Sequence, residues 1–144
     1  MPATFEHFGL RFLYPDNWVS VVDPEGGVTL QMPNGGFCSI LREETTNSEA
    51  VILDQIAAAI GADYGEVEKE LLPIDAFLDE GVAADLRFYY LDLMIVSRLI
   101  IAPLDGQRFV IQFQAECRDF DANEAVFSAI IKQLRETEPN QTRS

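Results

Sequence analysis

The chain of 144 residues is 48% hydrophobic and carries 24 acidic side chains against 10 lysines and arginines, a formal net charge of −14. That apolar share argues against intrinsic disorder, and a chain of this length buries enough surface to fold without disulfides or a structural metal. The charge argues against nucleic acid and anionic membrane as partners, because both are gripped by clustered Lys and Arg.

The first residues, M-P-A-T-F-E-H-F, lack the basic and apolar regions of a secretory leader, and no apolar run approaches the roughly 18 residues of a membrane span. The expected location is the cytoplasm. Leu10, Phe12 and Tyr14 alternate with Arg11 and Leu13, the period of a half-buried strand, and Pro15-Asp16-Asn17 then marks a stiff turn. Trp18, the single tryptophan, leaves that corner and is expected to be buried.

Pro24-Glu25-Gly26-Gly27 and Pro33-Asn34-Gly35-Gly36 read as turns on either side of a strand in which Val28, Leu30 and Met32 alternate with Thr29 and Gln31. Phe37 to Arg42 continues as the return strand, with apolar residues in both phases that suggest cover on both faces. Thr46-Asn47-Ser48-Glu49 resembles a capping box, and the run after it places Ile52, Ile56, Ala59 and Ile60 on one helical stripe ending at Gly61. Val67 to Ile74 is compatible with a strand.

The second half reads as a meander. Ala84, Leu86, Phe88 and Tyr90 alternate with Asp85, Arg87 and Tyr89; Leu93 to Ala102 is almost wholly apolar; and Pro103-Leu104-Asp105-Gly106 reads as a turn. Phe109, Ile111, Phe113, Ala115 and Cys117 then point one way along the next strand. Asp121-Ala122-Asn123-Glu124 reads as a second capping box, opening a helix with Phe127, Ile130, Ile131 and Leu134 on its core stripe. One domain over 1–136 and a polar tail over 137–144 follow. Short turns make the strands antiparallel, so the fold class is α+β, a central antiparallel sheet with helices packed on it.

Catalytic signals are weak. His7 is the only histidine, which excludes a His-based triad and a multi-histidine metal site. Cys38 and Cys117 lack CxxC spacing and read as buried thiols, although a bridge between adjacent strands stays open. The stretch from Asp119 to Glu124 imitates the start of a calcium loop, but Glu124 stands at its glycine position and Ile130 at its bidentate-glutamate position. No catalytic residue, cofactor site or metal site is assigned.

The strongest departure from the average is local. Between Glu43 and Asp85 there are 12 acidic residues against Lys69 alone. Glu66, Glu68, Glu70, Asp79 and Glu80 are therefore the candidate interaction surface, and a basic protein the candidate partner. The alternative is a small-molecule or enzyme pocket between sheet and helix, carried by Asp85, Tyr89 and Tyr90.

The opening F-G-L-R-F-L-Y-P-D-N-W, the strand G-V-T-L-Q-M-P, the mid-chain helix, the meander and the closing F-D-A-N-E-A-V-F-S-A-I-I-K-Q-L helix together resemble the PsbP-like superfamily over nearly the whole chain. The resemblance implies an α/β/α sandwich. It also implies an accessory or binding role without catalysis.

Overall fold

A computed structural model of the chain describes residues 1–136; the expected polar tail at 137–144 lies outside the described residues. Nine strands and two α-helices follow in the order β1 (Ala3–His7), β2 (Leu10–Tyr14), β3 (Val19–Val22), β4 (Val28–Gln31), β5 (Phe37–Arg42), α1 (Glu49–Tyr64), β6 (Glu68–Leu72), β7 (Val82–Tyr90), β8 (Leu93–Leu104), β9 (Gln107–Glu116) and α2 (Cys117–Glu136). Seven strands form one antiparallel sheet in the order β3-β4-β5-β9-β8-β7-β6, and β1 and β2 pair separately. Helix α1 packs on β7 and β8, whereas α2 packs on β8, β9 and the small hairpin. The result is the α+β sandwich that the strand order and two helical stripes require.

Three hairpins close through two-residue turns with positive φ at both positions, Phe8-Gly9, Leu91-Asp92 and Asp105-Gly106. That turn has the twist of the strands it joins. The last of these is shorter than the expected Pro103-to-Gly106 turn, because Pro103 and Leu104 still pair with Arg108 and Gln107. Proline fits there for a local reason. Strand β7 begins at Val82 opposite Ile101, so by Pro103 one side of β8 has no neighbour asking for an amide.

The helix boundaries also move. Ser48 caps α1, its hydroxyl accepting the Val51 N–H at 3.3 Å, while Glu49 turns to Arg108 instead of completing a capping box. The helix passes Gly61 and stops at Gly65, whose φ of 94° suits glycine. Its buried stripe is Ile52 and Leu53 with Ile56, Ala57 and Ile60, so Ala59 faces outward. Helix α2 starts at Cys117, four residues before the acidic motif. Strand β9 runs into it directly, and the Glu116 carboxylate takes the Arg118 N–H at 3.1 Å, filling the role of a cap.

The core is divided by the sheet. On the α2 side, Phe5, Phe12, Trp18, Phe109, Phe113, Phe120 and Phe127 belong to one cluster. Trp18 is 5% exposed, its backbone N–H donating to the Pro15 carbonyl at 3.1 Å and its ring 6.3 Å from that of Phe127. On the α1 side the cluster is smaller and aliphatic, with Ile52, Leu53, Leu86, Leu99, Ile101 and Val110. Strand β5 is covered on one face only: Cys38 and Ile40 are buried, but Leu41 is 39% exposed. Both cysteines are free thiols.

Candidate functional site

Glu66, Glu68 and Glu70 lie on or beside strand β6. Strand β6 is terminal, paired only with β7, in register Glu68↔Arg87 and Glu70↔Asp85. Residues two apart on a strand share a face, so Glu68 and Glu70 project on the same side as Asp85, Arg87 and Tyr89, and Lys69 projects on the other. Arg87 lies among three carboxylates, 2.8 Å from Glu70, 3.7 Å from Glu68 and 3.8 Å from Asp85. The hydrogen bond from Arg87 to Glu70 raises its guanidinium above the ordinary value; burial opposes this, and the charges of Glu70, Asp85 and Glu68 add to the rise.

Asp85 is not available to a ligand. It is 4% exposed and gripped in bidentate fashion by Arg98, Nε to Oδ1 at 2.8 Å and Nη2 to Oδ2 at 3.0 Å. Arg98 reaches Glu124 of α2 at 3.0 Å and lies over the rings of Phe77 and Phe120. Burial draws the Arg98 guanidinium down, but its bonds and charges with Asp85 and Glu124 outweigh that and leave it raised. Glu124, half-exposed, thus extends the buried Asp85-Arg98 pair and links sheet to helix, in place of a helix cap.

The aromatic pair separates as well. Tyr89 is 61% exposed on the α2-side face, and Tyr90 is 50% exposed on the opposite face, its ring 5.7 Å from that of Tyr64. Asp85, Tyr89 and Tyr90 therefore do not meet in one cavity. What Tyr89 does line is an open groove of about 630 Å³ at the end of β6, shared with Glu66, Glu68, Arg87, Phe88 and Met94. In the connection from β6 to β7, Asp79 pairs with Arg135 of α2 at 3.1 Å, and Glu80 is exposed.

The arrangement supplies carboxylates, one guanidinium and an apolar floor, which suits recognition of charge and offers no activated nucleophile. Among the described residues no cluster of three or more His, Cys, Asp or Glu side chains is arranged to hold a metal ion. Sequence reasoning missed Arg87 and Arg98. Their opposite charge to Asp85 is visible in the sequence, but their position beside it depends on strand register.

No family model and no curated protein matches the chain. Solved structures do. The chain is similar to the solution structure of cyanobacterial PsbP from Synechocystis sp. PCC 6803, at a TM-score of 0.60 and 15% identity over 92% of this chain and 90% of that one. It is also similar to PA94 of Pseudomonas aeruginosa, described as a protein of unknown function and putative regulator, at a TM-score of 0.53 and 11% identity over 99% and 96% of the two chains. The fold is PsbP-like. Among the described residues no helix is long and apolar enough to cross a membrane.

Proposed function

We propose that this PsbP-like fold is a non-enzymatic interaction module whose acidic margin, Glu66, Glu68 and Glu70 with Asp79 and Glu80, receives a basic protein segment. One observation carries the reading: at the β6 margin Arg87 faces three carboxylates, and Asp85, the one it shares with Arg98, is already neutralised from the other side. Glu66 stands outside these pairs, beside an open groove long enough for several side chains. The field there is negative, and field of one sign steers an oppositely charged partner and raises its association rate.

The experiment is a titration of fluorescent Lys/Arg-rich peptides against the wild type and the variant E66Q/E68Q/E70Q. Binding should weaken steeply as added salt shortens the Debye length below its value of about 8 Å at physiological ionic strength. The variant should bind more slowly while unfolding at nearly the wild-type denaturant concentration. Equal binding by both proteins at low and high salt would reduce the acidic margin to a solvated surface.

A further inference from the structure

The opposite margin of the sheet has the reverse chemistry. Strand β3 is terminal, paired only with β4, and all four of its residues, Val19, Ser20, Val21 and Val22, are exposed. None is charged, and Val19 and Val22 are 59% and 64% exposed. Terminal strands ordinarily carry charges, prolines or bulges that block further pairing. Strand β6, with Glu68, Lys69 and Glu70, is protected in that way, and β3 is not.

We propose that β3 is a self-association edge, pairing antiparallel with β3 of a second copy of this chain about a two-fold axis at Ser20. Three observations select this occupant and this register. The first is hydrogen-bond phase. Asp23 N–H donates to the Gly27 carbonyl at 2.7 Å, and pairing alternates along antiparallel strands, so Val21 and Val19 turn their backbone groups toward β4. Ser20 and Val22 therefore present theirs outward. Ser20 can exchange both hydrogen bonds with the Ser20 of another copy.

The second is side-chain matching. A two-fold axis normal to the sheet keeps the same face up in both copies, and with Ser20 opposite itself Val19 lies across from Val21 of the other copy, while Val22 and Asp23 run past the start of the other strand at Val19, where Asn17 and Trp18 belong to the Pro15 turn. No like charges are opposed in that register. Centring the axis on Val22, the other residue with outward backbone groups, would set Ser20 against Pro24, which has no N–H to give. The third is the distribution of charge. From Met1 to Arg42 there are only four acidic residues, Glu6, Asp16, Asp23 and Glu25, against Arg11 and Arg42, while the acidic excess begins at Glu43. Six strand spacings of about 4.8 Å separate β3 from β6, roughly 29 Å. Joining two copies at β3 places their acidic margins at the far ends of a continuous sheet, many Debye lengths from one another.

The test is sedimentation of the full chain across a concentration series, with variants at Val19 and Val21, which the register sets against each other. Wild type should pass from monomer to dimer. V19K/V21K sets lysine against lysine and should weaken association at least tenfold, whereas V19K/V21E sets lysine against glutamate and should restore it. Register is read separately by mild oxidation in a Cys117→Ser background: S20C should form a disulfide-linked dimer, because opposed Cα atoms in a hydrogen-bonded pair lie about 5.5 Å apart. V22C, displaced from its own copy by several residues, should not. Circular dichroism identifies any variant that fails to fold. A wild type that stays monomeric at every concentration, including one that takes up an apolar extended peptide instead, overturns the proposal, as does a dimer unaffected by V19K/V21K or one in which S20C does not cross-link.

Discussion

The two faces of the seven-stranded sheet are held in different ways. On the α2 side a helix and the β1-β2 hairpin close over an aromatic core, and the buried Asp85-Arg98 pair, extended to Glu124, fastens helix to strand. On the α1 side one helix covers β7 and β8, and the remainder of that face stays open, with Val21 and Leu41 partly in solvent. Stability is therefore expected to be concentrated on the α2 side. The α1 side is expected to contribute less.

That contrast can be broken most directly at Arg98. Arg98→Met leaves Asp85 buried without its bidentate partner, and removing one member of a buried pair costs about 3–5 kcal/mol, to be read by urea unfolding. Trp18→Ala removes a large aromatic from between Tyr14 and Phe127, with an expected loss of roughly 3–5 kcal/mol. An unchanged midpoint in either variant would refute the unequal division between faces. Leu53→Ala, on the thinner side, should cost about 2–3 kcal/mol, toward the low end for a buried leucine, because a single helix can settle into the space. If it costs more than Trp18→Ala, the comparison is inverted.

Smaller effects sharpen the picture at the surface. E66Q/E68Q/E70Q should change stability by under about 1 kcal/mol, since exposed ion pairs contribute little. At the β9-α2 junction the hydrogen bond to Glu116, with burial and nearby acidic charge, raises the Cys117 thiol, while the Arg118 amide, Cys117 and the Arg118 side chain lower the Glu116 carboxyl. The sign for Glu116 follows: its folded value is depressed, so its contribution is present above the ordinary carboxylate range and is lost as pH falls through the folded value. Thiol labelling near pH 8 should be slow at Cys117 and a few-fold faster in E116Q, while Cys38, buried and strongly raised by desolvation, stays unlabelled.

Much of the fold was legible because its strands alternate cleanly and its turns carry Gly and Pro. Trp18 was expected in the core on the strength of the Pro15 corner, and it is there. The start of α2 was misplaced for a physical reason: Cys117 continues the apolar phase of β9, so the change from strand to helix leaves no mark on periodicity until Phe120 and Phe127. The stripe of α1 was blurred by its many small apolar residues, among which Ala57 and Ala59 are indistinguishable without a partner surface. At the candidate site Glu66, Glu68 and Glu70 announce themselves by spacing. Their engagement with Arg87, and that of Asp85 with Arg98, arises from pairing between strands, which no local pattern encodes.

One feature of the pairing order bears on how the chain reaches this structure. Strands β3 to β5 and β7 to β9 each join neighbours through short turns, but the two groups meet only where β5 lies against β9, between residues roughly seventy positions apart, a contact whose loop-closure entropy must be met before any of its hydrogen bonds form. The sheet is thus two locally assembled ribbons with a single distant seam. We expect the seam to close last, so that in pulse-labelled refolding the β5 amides bonded to β9 gain protection after those within the β7-β8-β9 meander. Simultaneous protection throughout would show instead that the ribbons have no separate existence and that the seam forms part of the folding nucleus.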